Sequence, residues 1–192
     1  MKSRGLQHYC SILNIKPCLF CGGVVFFLFV MKIKKYVITL SQVFPVTHCR
    51  KGEPTGFKDK FLAAIGKADG DWLKLHTLRA NYDLWKKRFD EIEAGKACLC
   101  IRQWTGKPYC SKQVELAVLT KEDGIGLQRM TVEGCSVIHP IFADETSVSS
   151  DELAHNDGLS SVDWRNWFSR YNLTEPLAII QFTSFRYKWK KK

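Results

Sequence analysis

The 192-residue sequence predicts an α+β fold, a small β-barrel or mixed sheet with helices packed around it. Three observations predict it. A chain of this length buries roughly 70% of its unfolded surface around a single core, without help from disulfides or a metal. Its 45% hydrophobic and 25% charged residues are ordinary globular values, which excludes disordered, collagen-like and coiled-coil classes. Short β-branched runs are mixed with a few helical stripes, with no βαβ rhythm, internal repeat or low-complexity segment.

The elements follow in order. Tyr36-Val-Ile-Thr-Leu40 is short and β-branched, a strand. Between Thr55 and Ile65, residues Phe57, Phe61, Leu62 and Ile65 recur at helical spacing, and Gly66 with Ala68-Asp-Gly70 closes that helix in a turn. Trp72 to Arg79 is strand-like or irregular. Tyr82, Trp85, Phe89 and Ile92 then form an apolar stripe on a charged helix that stops at Gly95. Ala97 to Arg102 and Gln113 to Leu119 are two strands joined by a loop with a Gly106-Lys-Pro108 turn signal. Gln128 to Pro140 holds another strand or two. Ser149 to Asn156 is a short helix, and Ser160-Ser-Val-Asp163 opens a second, with Val162, Trp164, Trp167, Phe168 and Tyr171 as its apolar residues. Leu177 to Phe185 is a closing buried strand.

The formal net charge of +10, from 29 Lys and Arg against 19 Asp and Glu, suggests a nucleic-acid binder. Its distribution does not: 11 of the basic residues lie in two acid-free ends, 1–36 and 186–192, and Val37 to Phe185 carries 18 basic against 19 acidic residues. A polyanion would therefore meet a local cluster or a tail. Residues 1–30 form an extension in which a basic stretch leads into the apolar run Cys18–Met31, too short to span a bilayer and followed by no cleavage site. It reads as an upstream extension with Met31 the initiator, as a targeting segment, or as a structured arm. The domain is expected over 31–187, with 188–192 a basic tail. Of the 8 Cys, five lie beyond the extension without paired C-x-x-C spacing, which points to a cytoplasmic protein; no metal and no cofactor are expected. Cys98 and Cys100 alternate along a strand as small core residues.

Familiar enzyme signatures are missing: no Gly-rich phosphate loop, no G-x-S-x-G, no H-E-x-x-H. What remains is the polar segment Lys74-Leu-His-Thr-Leu-Arg79. Extended, it places Lys74, His76 and Leu78 on one side and Leu75, Thr77 and Arg79 on the other; a helical turn would bring Lys74 beside Thr77 or Leu78. A desolvated Lys loses its proton near neutral pH and can take that of a neighbouring Thr hydroxyl, making it a nucleophile. The alternative is a solvated edge strand.

The K-x-x-T-x-R segment of Lys74, Thr77 and Arg79 follows the strand Ile38-Thr-Leu-Ser-Gln-Val-Phe44 by about thirty-five residues. Downstream lie Ala154-His-Asn-Asp157-Gly-Leu-Ser-Ser161 and the closing strand Leu177–Phe185. Over Tyr36 to Tyr187 the chain resembles the ASCH domain family, whose fold is the PUA-like β-barrel, here a small barrel with flanking helices. It is most similar to the small bacterial acetylcytidine amidohydrolases. The resemblance implies that Lys74 activates Thr77 for attack on an amide carbonyl, that Asp157 takes part in proton transfer, and that Arg79 anchors the substrate or the pocket wall. Two positions depart from the family pattern: Asp157 stands for a Glu, and Trp72 for a Gly.

The loop from Arg102 to Lys112 bears on a binding function. Arg102, Lys107 and Lys112 are candidate phosphate contacts, and Trp104 and Tyr109 are flat faces for an unstacked base. Asn81 with Tyr82 and Asp83 is placed to line the same pocket, and His76 is as readily a satisfied structural residue as a ligand-binding one. The expected function is an ASCH-like domain binding RNA or a nucleotide-like ligand in a polar cleft. The alternatives are an amidohydrolase acting on an N-acylated nucleoside, and a non-catalytic partner-binding module. The partner is RNA or a modified nucleoside or nucleotide; DNA sequence readout is not expected, nor membrane contact unless residues 1–30 are retained.

Overall fold

The computed structural model of the chain describes residues 33–134 and 139–188. The N-terminal extension, residues 1–30, and the tail beyond Lys188 lie outside the described residues.

The fold is α+β, with eight strands in two sheets and four α-helices among the described residues. Strand β1 (Lys34–Leu40), β3 (Ala97–Trp104) and β4 (Gln113–Leu119) form one sheet in the order β1-β3-β4. Strand β2 (His76–Arg79), β5 (Gly126–Val132), β6 (Ile141–Ala143), β7 (Thr146–Val148) and β8 (Leu177–Gln181) form the other in the order β2-β8-β5-β6-β7. The helices are α1 (Phe57–Ala64), α2 (Tyr82–Glu93), α3 (Ser150–Asn156) and α4 (Ser161–Phe168).

The sequence predicts a small barrel or a mixed sheet; the described strands make two separate sheets and no closed barrel. The break falls between β4 and β5. A one-turn 3-10 helix at Lys121–Asp123, held by reciprocal hydrogen bonds between Thr120 and Asp123, ends at Gly124 with φ 75° and redirects the chain from the first sheet into the second.

Central strands explain the least periodic stretches of sequence. β8 lies between β2 and β5, antiparallel to both, and all five of its residues are buried. A strand covered on both faces reads as a continuous apolar run, which Leu177-Ala-Ile-Ile180 is. β3 likewise lies between two strands, β1 and β4, and Ala97 to Ile101 are all buried, Cys98 and Cys100 included. A register shift after Ile101 turns Arg102 and Trp104 toward partial exposure.

Helical stripes behave as read, with shorter bounds at the ends. In α2, Trp85, Phe89 and Ile92 are buried, and Asn81 caps the first turn by accepting from Leu84 N–H. In α4, Ser160 caps the N-terminus, and Trp164 and Phe168 are buried. Val162, read as one of this helix's apolar residues, is 70% exposed: it stands in the first turn, on the face away from Trp164. The closing strand is shorter than predicted, since the ladder ends at Gln181. Beyond it Phe182 turns inward, edge-on to Phe61 of α1 at 5.0 Å.

Candidate active site

Lys74 does not sit in a strand. β2 begins two residues later, and the preceding segment is held by hydrogen bonds to three other elements. Lys74 N–H donates to Lys60 O of α1 at 3.0 Å, Leu75 N–H donates to Asn156 O at the end of α3 at 2.8 Å, and Leu75 O accepts from Phe182 N–H at 2.9 Å. These contacts override the strand alternation at Lys74. In consequence Lys74 lines the same cavity as Thr77 and Arg79, while His76 is directed elsewhere.

Asp157 reaches the same place by a helix ending. α3 starts at Ser149, whose hydroxyl accepts from Glu152 N–H, and stops at Asp157, followed by Gly158 with φ +77°. A side chain at Gly158 would put its Cβ 3.2 Å from Lys60 Cδ and 3.3 Å from Lys74 Cβ. Glycine therefore permits both the left-handed turn and the approach of two lysine stems. Lys60 Nζ donates to Gly158 O at 2.7 Å and lies 3.6 Å from the Trp72 ring centroid. Trp72 Nε1–H in turn donates to His155 O at 3.0 Å. Trp72 thus braces the loop that carries Asp157.

Lys74 Nζ donates to both the carboxylate and the main-chain carbonyl of Asp157, the latter at 2.7 Å, and stands 4.0 Å from the Phe57 ring centroid. Lys74 is 1% exposed and Asp157 2%. Burial acts on each against its charge: it pushes the Lys74 ammonium down and the Asp157 carboxyl up, with the partner's charge opposing. The two groups face each other, so their titration belongs to the pair.

Thr77 is 4% exposed, and its Oγ1 accepts from Arg79 Nη1 at 2.9 Å. The Arg79 guanidinium also donates to Leu78 O at 2.8 Å and to Thr39 O of β1 at 3.0 Å, which fixes it as a strut between the two sheets. Together Lys74, Thr77, Arg79 and Asp157 line a cavity of about 110 Å³ whose other walls include Phe57, Leu159, Trp167 and Tyr171. A space smaller than the ~150 Å³ that accommodates benzene takes a compact polar head rather than a whole nucleobase.

The remaining predicted residues fall elsewhere. His76 is fully buried, bonded through Nε2 to Tyr187 Oη at 2.8 Å, and Tyr187 Oη also accepts from Asn156 Nδ2 at 3.0 Å. Burial holds its imidazole well below the ordinary histidine range, with the Lys74 charge adding to the effect. Asn81 caps α2 and lines a neighbouring groove. Arg102 is engaged on the sheet surface, its Nε donating to Cys100 Sγ at 3.1 Å and its Nη2 lying 3.7 Å from Glu115. Trp104 and Tyr109 form a tilted ring pair at 5.4 Å on the β3–β4 hairpin, with Tyr109 90% exposed and Lys107 exposed beside it. The hairpin's root borders the cavity wall: Gln113, opposite Trp104 in register, donates through Nε2 to Thr39 Oγ1 at 3.5 Å.

Sequence reasoning missed the aromatic wall of Phe57, Trp167 and Tyr171, because core and pocket aromatics carry the same helical spacing. One further cluster brings metal-ligating types together: ligand atoms of His48, Cys49 and Asp163 lie within 4.8 Å of one another. His48 Nδ1 already accepts from Arg50 N–H at 3.0 Å, and Nε2 lies 3.0 Å from Asp163 O, so the imidazole ties a loop to α4 rather than presenting a lone pair. Among the described residues no helix is long and apolar enough to cross a membrane. No family model matches the chain, and no curated protein or solved structure matches it.

Proposed function

We propose that the protein is an ASCH-type, PUA-like enzyme that hydrolyses the amide of an N-acylated nucleoside such as acetylcytidine, acting in the cytoplasm. The observation that carries this reading is the convergence of Lys74, Thr77 and Asp157, all buried, on one small cavity. Lys74, whose ammonium burial disfavours, passes a proton to Asp157 and takes the hydroxyl proton of Thr77, and Thr77 Oγ1 adds to the acyl carbonyl. Arg79, 2.9 Å from Oγ1, is the cation beside the developing negative charge. The C–N bond breaks as the departing amine takes a proton from the Lys74–Asp157 pair. A water, deprotonated by the same pair, then attacks the acyl ester, and the pair returns that proton to Thr77 Oγ1 as the acid leaves. The cavity's size suits the acyl head, with the remainder of the substrate outside it.

The test is release of cytidine from acetylcytidine by the full chain. Turnover is expected, with losses on the order of 100-fold or more in Lys74→Ala and Thr77→Ala. Absence of turnover in the wild type, or full activity in Thr77→Ala, would overturn the assignment. A second reading, RNA binding through the hairpin, is favoured by the exposed Tyr109 paired with the half-buried Trp104, beside Lys107. It requires salt-sensitive RNA retention that falls when both rings are replaced by Ala, base stacking being worth about 1–3 kcal/mol per base.

A further inference from the structure

A second compartment adjoins the Lys74 cavity. Asn81, Tyr82, Asp83, Arg129, Tyr171 and Glu175 are among its walls, and it encloses about 580 Å³, several times the volume of the cavity. Tyr171 lines both spaces, and Arg79 of the cavity is followed directly by Ala80 and Asn81 of the compartment. The two spaces therefore share a wall at Tyr171, and a ligand reaching past it from the cavity would enter this one.

The walls have a definite chemistry. Tyr82 and Tyr171 are partly exposed flat faces, and the Arg129 guanidinium lies 5.9 Å from the Tyr82 ring centroid. Among the described residues the side chains of Arg129, Asp83 and Glu175 enter no ion pair with one another or with other groups. One cation thus faces a ligand together with two carboxylates. Carboxylates accept hydrogen bonds from vicinal sugar hydroxyls, the tyrosine faces suit the carbon side of a sugar ring, and an anion meets one more like charge than unlike.

We infer that this compartment is the recognition subsite for an uncharged ribosyl group and that Asp83 and Glu175 discriminate against a phosphorylated one. The inference rests on the proposed nucleoside reading and narrows it: the ligand is the free nucleoside rather than a nucleotide or an RNA chain. The excess of one negative charge acting on a phosphate dianion across ~8 Å of water corresponds to about fivefold in affinity.

The experiment is titration of the full chain with cytidine and with cytidine 5′-monophosphate, by calorimetry or NMR, at low and at high salt. Cytidine is expected to bind about fivefold more tightly, with the gap narrowing as salt rises. The double variant D83N/E175Q, both of whose sites are exposed, is expected to close the gap by improving monophosphate binding. Equal or tighter monophosphate binding, a gap unchanged in the double variant, or binding of neither compound would overturn the inference. Acetylcytidine turnover separates this from the enzymatic proposal. Cytidine preference without turnover leaves the subsite and removes the hydrolase; turnover without discrimination does the reverse.

Discussion

Replacing Lys74 by Met keeps most of the stem's volume and removes the ammonium that pairs with Asp157. The Asp157 side chain is only 4% exposed, so its carboxylate is left where burial already pushes the carboxyl's proton affinity up, with Arg79 as the remaining opposing charge. The folded variant then holds a proton that the unfolded chain releases above the ordinary aspartate value of 3.8. The native state binds more protons than the unfolded state, so stability falls as pH rises, by up to about 1.4 kcal/mol per unit. Between 3.8 and pH 5 the ceiling is about 1.6 kcal/mol, and by pH 7 about 4.4 kcal/mol. The latter matches the 3–5 kcal/mol typical of breaking a buried pair, and is a large share of the roughly 5–15 kcal/mol that holds a domain together. Urea unfolding at pH 5 and pH 7 measures it. The deficit of Lys74→Met relative to wild type should widen by as much as about 2.7 kcal/mol between the two pH values, and Lys74→Met/Asp157→Asn should lose the pH dependence. A deficit equal at both pH values, or a double variant with the same slope as the single one, would refute the account of a buried, mutually dependent pair.

Gly158→Ala should cost about 1–2 kcal/mol for the left-handed backbone, read as a lowered urea midpoint. The 3.3 Å approach to Lys74 Cβ should also lower acetylcytidine turnover more than the stability loss alone explains. An unaltered midpoint would remove the strain argument. His76 makes the opposite pH prediction from the bare Asp157. Its folded proton affinity is depressed by burial, so its contribution is fully present above 6.5 and is lost as pH falls below that value, at up to about 1.4 kcal/mol per unit. His76→Gln should flatten that part of the acid limb in unfolding curves, and an unchanged limb would show that the imidazole charges without penalty.

Element types were largely legible in the sequence because each has a local cause. The stripe Trp85, Phe89, Ile92 follows the helical period, the serines at 149 and 160 cap helices, and Leu177 to Ile180 is apolar on both faces because its strand is covered on both. Closure of the sheets was not legible. A barrel and two separate sheets use the same alternation along each strand, and the difference lies in which edges pair. Lys74, Thr77, Arg79 and Asp157 were nameable as chemistry-bearing types from their motif, but strand alternation alone places Lys74 on the side of His76.

By itself, then, the sequence determined the inventory: an α+β chain, near-neutral through its body, with one segment dense in groups able to move protons. Tertiary structure decided the partnerships. Hydrogen bonds from Lys74 and Leu75 to α1, the end of α3 and the residue after β8 rotate the lysine out of strand register, and the turn at Gly158 delivers Asp157 to it from 83 residues away. Local propensity carries no information about contacts at that separation, and only there does burial act on both charges at once.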